Sequence, residues 1–157
     1  MEPVDICTRM NNELSGEDNA NNMFVTMFIG MLDLQTGRLA FCNAGHNPPV
    51  LGGGQHKGDF LKMIPNVPIG MWPDYEYRGE QIESVKGRAL FIYTDGLNEA
   101  ENQEQEQFGN ERLLRILRDT HFDTARQVVE TLEAEVETHR NGAEPNDDMT
   151  MMCLRVN

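Results

Sequence analysis

Serine is almost missing from this 157-residue chain, which has only Ser15 and Ser84. Neither lies in a Gly-x-Ser-x-Gly elbow, so a serine-hydrolase route has little to stand on. The three cysteines, Cys7, Cys42 and Cys153, are odd in number and lack metal-ligand spacing. They read as reduced thiols of a cytoplasmic protein, and Cys42, inside an apolar strand, as core rather than nucleophile. No apolar run approaches the roughly 18 residues of a membrane span, and no basic-then-apolar leader segment opens the chain. Positive charge is scarce as well: 13 Lys and Arg stand against 26 Asp and Glu, a formal net charge of −13. Such a surface repels nucleic acid and anionic membranes, and neither is expected as a partner. Gly52-Gly53-Gly54 is followed by no helix and no Gly-Lys-Ser/Thr, which makes it a hairpin tip and not a phosphate cradle. With no internal repeat and no long linker, residues 1–157 read as a single domain.

The pattern that is present is mixed. Residues 3–14 carry Val4, Ile6 or Cys7, Met10 and Leu14 at helical spacing behind Pro3. Met23 to Leu32 is apolar on both alternating faces, predicting a strand covered on both sides. Asp33 to Gly37 reads as a hairpin turn into a return strand, 38–44. Gly45, Pro48 and Pro49 force a rigid corner in which His46 is expected to bond neighbouring backbone rather than act as a ligand or base. Short strand-like runs follow at 60–64, 67–71 and 80–85, then a strand at 88–94. A helix is predicted over 110–118. A second one starts at Asp123-Thr124 with a capping box to Gln127, buries Ala125, Val128, Val129, Leu132 and Val136, and ends at Asn141-Gly142. Its acids Glu130, Glu133, Glu135 and Glu137 read as a solvated face. A last strand, 149–156, completes an α+β fold of antiparallel hairpins with helices outside.

Two acidic strand ends carry the chemistry. Leu90 to Tyr93 runs as a buried strand into Thr94-Asp95-Gly96, and Asn146-Asp147-Asp148 stands at the mouth of the last strand. Asp-Gly is a common turn and Asp147-Asp148 could be a solvated loop or cap, so each half alone has an ordinary structural reading. Together they suggest a divalent-cation site, with Gly96 leaving room for an ion, water or phosphate near the backbone. A phosphorylated substrate would need such cations, because the chain's own charge repels it.

Phe24-Val25-Thr26, Asn43-Ala44-Gly45-His46-Asn47-Pro48-Pro49, Tyr93-Thr94-Asp95-Gly96-Leu97-Asn98-Glu99-Ala100, Phe108-Gly109 and Asp147-Asp148-Met149-Thr150 occur in a fixed order. In this order they resemble the metal-dependent protein phosphatases of type 2C. The likeness is to the bacterial branch of stage II sporulation protein E and the sigma-regulatory serine phosphatases, and it runs from about Pro3 to Val156. The resemblance implies a layered α/β/β/α sandwich of mainly antiparallel sheets. It also implies hydrolysis of phosphoserine or phosphothreonine with two Mn²⁺ or Mg²⁺ ions. The implied substrate is a phosphorylated anti-sigma-factor antagonist of the STAS type. Asp95 and Asp147 match the family's metal ligands and would be the catalytic residues. Asp148, where Asn is common, is a weaker metal candidate.

The family's early Gly-Asp strand motif, which bridges both metals, has no counterpart here. Asp5 and Asp18 do not follow a glycine in a strand pattern, and Gly58-Asp59 lies beyond the corner. The sequence therefore resembles the C-terminal two-thirds of the domain, with the first metal-ligand strands absent. Weak metal binding, poor turnover and homodimer pairing through exposed sheet edges are the expectations that follow. The alternative expectation is a non-catalytic, phosphatase-like module that binds a partner protein.

Overall fold

In the computed structural model, residues 1–15, 23–53 and 56–156 are described. The helices are α1 (Pro3–Leu14), α2 (Asp95–Asn98), α3 (Asn110–Asp119) and α4 (Ala125–Arg140). The strands are β1 (Met27–Leu32), β2 (Leu39–Ala44), β3 (Val50–Gly53), β4 (His56–Phe60), β5 (Glu80–Ile82), β6 (Ala89–Tyr93) and β7 (Met151–Arg155). The chain divides into two compact units, Met1–Pro48 with Lys62–Val85, and Pro49–Leu61 with Lys86–Asn157. Each contains an antiparallel sheet, in the orders β1-β2-β5 and β4-β3-β6-β7.

In the first unit Asp33 fixes the hairpin by accepting the amides of Gln35 and Thr36 on Oδ1. That sets the β1–β2 register from Met27↔Ala44 to Leu32↔Leu39. Helix α1 packs on β2, and Cys7, Cys42, Ala44, Ile69 and Tyr77 form one buried cluster. One buried residue was not expected on that helix face. Asn11 donates to the Trp72 carbonyl (2.9 Å) and accepts from the Gly70 amide (2.8 Å) and the Tyr77 hydroxyl (3.2 Å). It thereby ties the proline-rich 68–77 stretch to α1.

The expectation that Met23 to Leu32 is covered on both sides is overturned. β1 starts only at Met27 and lies at a sheet edge, and Phe24, Val25 and Met31 are exposed. An apolar sequence on both faces states what the strand can bury, not what this chain supplies to cover it. The run 67–71 likewise forms no strand. Pro68 has no N–H to give, and only an isolated Val25↔Ile69 bridge remains. The strand-like stretch after Phe60 also lies outside β4, and the tip at Gly54-Gln55 falls outside the described residues.

In the second unit, α3 and α4 cover the four-stranded sheet with Leu113, Val128, Leu132 and Val136 packed against Val50, Phe91 and Tyr93. Helix α4 starts as expected: Thr124 accepts from the Gln127 amide, and Gln127 reaches back to the Thr124 amide. It ends on Asn141 in the left-handed region, at φ 47°. Its four glutamates are exposed, as a solvated face requires.

Candidate metal and phosphate site

β6 and β7 pair antiparallel from Ala89↔Arg155 to Tyr93↔Met151, so residues leaving β6 and entering β7 meet at one end of the sheet. The ladder continues past the strands. Thr94 N–H donates to the Thr150 carbonyl (3.0 Å), Thr150 N–H donates to Thr94 Oγ1 (3.0 Å), and that hydroxyl donates to the Asp148 carbonyl (3.4 Å). Asp95 opens the single turn α2 immediately after this clamp.

The role expected of Gly96 needs correction. A Cβ there would sit 2.2 Å from the Asp148 carbonyl oxygen. The space glycine leaves is therefore occupied by the 148 backbone rather than kept for an ion or phosphate, and Gly96 permits the two acidic segments to touch.

A second clamp lies one turn further on. Asn146 Nδ2 donates to the Glu99 carbonyl (3.0 Å) and Asn146 Oδ1 accepts the Glu101 amide (3.4 Å). Below, Phe108 N–H donates to the Ala100 carbonyl and Gly109 N–H to that of Asn98, both at 2.8 Å. Buried Tyr93, Leu97, Ala100 and Phe108 form the floor. Burial pushes the Tyr93 phenol up to about 12, so it stays neutral at physiological pH.

Asp95, Asp147 and Asp148 are all exposed, and Asp147 Oδ1 accepts the Asp148 amide at 2.7 Å. The structure thus brings the segments of all three sequence-predicted residues to the same sheet end. Among the described residues, no three His, Cys, Asp or Glu side chains assemble into a set that could hold a metal ion. The donors present are hard oxygens on exposed carboxylates, a type that suits Mg²⁺ or Mn²⁺ held by one or two carboxylates and completed by water. The sequence pattern alone assigns no role to Asn146 or Thr94. The available signal was an amide side chain beside an acid pair at a strand mouth, able to donate and accept at once.

His46 is part of the first unit. Its amide is held by Asn43 Oδ1 (3.1 Å), its carbonyl by Asn43 Nδ2 (2.8 Å), and its ring Nδ1 lies 3.0 Å from the Asn47 carbonyl. That is the corner-bracing role expected of it.

The family model for stage II sporulation protein E (SpoIIE) matches residues 1–157. The chain belongs to the SpoIIE phosphatase family. Protein IcfG of Synechocystis sp. is 29% identical over 144 residues, which cover 92% of this chain and 22% of that protein. Among solved structures, the SiaA-PP2C domain of Pseudomonas aeruginosa superposes with a TM-score of 0.82 at 21% identity, covering 99% of this chain and 61% of the other. The SpoIIE phosphatase domain of Bacillus subtilis, presoaked with Mn, gives 0.67 at 17% identity, covering 93% and 62%. These matches show the type 2C phosphatase fold, within the α+β class expected from the sequence. The SpoIIE-family chain spans a little over three-fifths of those two solved chains and about a fifth of IcfG. No described helix is long and apolar enough to cross a membrane.

Proposed function

We propose that this chain supplies Asp95 and Asp147 as catalytic metal ligands of a single type 2C protein serine/threonine phosphatase domain, with Asp148 as a weaker ligand. The observation that carries the reading is the close approach of the two acidic segments at Gly96 and Asp148, which Thr94 and Asn146 hold in place. Bound Mn²⁺ or Mg²⁺, two ions in a complete domain, would supply an activated water and neutralise phosphoryl oxygens. The two aspartates would anchor that charge, and Thr94 and Asn146 would fix the segments that bear them. The acidic surface makes cation binding a precondition for a phosphorylated substrate to approach. We take that substrate to be a phosphorylated STAS-type anti-sigma-factor antagonist in the cytoplasm, as the SpoIIE relationship suggests.

The test is phosphatase activity of the longest native protein containing this chain, on a phosphoserine protein substrate with Mn²⁺. Activity lost in both Asp95→Asn and Asp147→Asn supports the reading, and activity retained in either refutes it. A second reading, a phosphatase-like module that binds its partner without turnover, is favoured by the lack of a three-residue ligand set among the described residues. It predicts partner binding unchanged by either substitution and no Mn²⁺-dependent hydrolysis. Homodimerisation is proposed through the edge of β1, where Met31 is 49% exposed. Light scattering showing only monomer would reject that part.

A further inference from the structure

At the other end of the same β6–β7 ladder from the acidic segments lies a cleft of about 410 Å³. Ala89 and Arg155, which pair there, both line it. The lining residues nearest the acidic segments, Phe91 and Cys153, stand two residues short of Tyr93 and Met151, about 7 Å along the strands, and Asp95, Asp147 and Asp148 do not line the cleft. Its volume falls in the range of small-molecule sites, about 300–1,000 Å³.

The lining mixes apolar and charged side chains. Phe91, Leu117, Phe122 and Val128 contribute apolar surface, joined by Cys153. Burial pushes the Cys153 thiol up while Arg155 pulls it the other way, so the sulfur contributes as a neutral, polarisable surface. The lining also carries Lys57, Arg118 and Arg155 against Asp119, in a chain whose formal net charge is −13.

The cations differ in their commitments. Arg118 is paired with Asp59 (3.1 Å) and donates its Nε–H to the Gly58 carbonyl. His121 is engaged by Asp123 (3.2 Å). Arg155, among the described residues, donates only to the neutral carbonyls of Phe122 and Asp123. Among the described residues, neither Arg155 nor Lys57 has a carboxylate within ion-pair distance. A partly apolar hollow with two cations outside any ion pair among the described residues is complementary to a ligand having an apolar body and one negative charge.

We propose that this cleft binds a small amphipathic carboxylate, with its apolar body on Phe91, Leu117 and Val128 and its charge between Lys57 and Arg155. The site requires neither bound metal nor phosphatase activity, so its test is independent of the proposed reaction.

The experiment is an amide-resolved NMR titration of the full chain with octanoate, set beside octanol and octylamine. Saturable shifts at Gly58, Leu117, Phe122 and Cys153 are expected, with octanol and octylamine binding at least about tenfold more weakly. Lys57→Glu, an exposed change, is expected to weaken octanoate about tenfold while leaving distant amides unmoved. Octanoate shifts that are absent, or centred on exposed Phe24 and Trp72, would overturn the proposal. Equal binding of octanol would overturn it too, since the two cations would then play no part.

Discussion

Gly96 and Asp148 share one small volume: a Cβ on residue 96 would lie 2.2 Å from the carbonyl oxygen of residue 148. This contact joins the two acidic segments, and the obstacle is backbone, which cannot swing aside. Gly96→Ala is therefore expected to cost about 2 kcal/mol or more through overpacking. It should also separate the segments, weakening Mn²⁺ binding. Denaturant unfolding with parallel metal titration checks both, and an alanine variant of unchanged stability would show that the approach is not needed.

Asn146 bridges the Glu99 carbonyl and the Glu101 amide. Asn146→Ala removes two hydrogen bonds at an exposed site, so a stability loss of only about 1 kcal/mol is expected. Metal affinity should fall by about tenfold, because the side chain orients the loop that bears Asp147. Calorimetry finding equal affinities in the two proteins would reject this positioning role.

In the first unit, Asn11 answers three groups at once, the Trp72 carbonyl, the Gly70 amide and the Tyr77 hydroxyl. Tyr77 keeps a second partner in the Pro68 carbonyl (3.3 Å), whereas the Gly70 amide would be left unpaired and buried. Asn11→Ala is expected to destabilise by about 2 kcal/mol, measurable by urea unfolding.

The sequence disclosed those features whose cause is local. Asp33 at a hairpin start, Thr124 with Gln127 three residues on, and Asn141 before Gly142 each act within four residues of themselves, and each stands as expected. Elements whose state depends on distant chain were harder to read. The apolar run of β1 looks the same at a sheet edge as at a sheet centre. Asn11 on a helix face gives no sign that Trp72 and Tyr77 will converge on it. At the candidate site, Asp95 and Asp147 could be picked out as acids at strand ends. The function of Gly96 was not legible, because the group that needs its space comes from 52 residues later. Strand 149–156 and strand 88–94 had to pair before that contact existed.

The buried tyrosines set an alkaline limit on stability. Burial pushes both Tyr77 and Tyr93 up to about 12 from the ordinary 10.0. Between those values the unfolded chain releases phenolic protons that the folded chain retains, so stability should fall as pH rises through that window and be unaffected by these groups below it. Absorbance titration of the phenolates alongside unfolding curves checks the sign. Two tyrosines ionising near 10 in folded protein would contradict the burial.

On the proposed reading, Asp95 and Asp147 act together on one divalent cation. The decisive measurement is Mn²⁺ binding followed by electron paramagnetic resonance, comparing the unaltered chain with Asp95→Asn, Asp147→Asn and the double variant. Each single variant is expected to lose most of the bound signal, and the double variant to lose little more, as for two ligands of one ion. Full Mn²⁺ binding in either single variant, or losses that simply add, would contradict it.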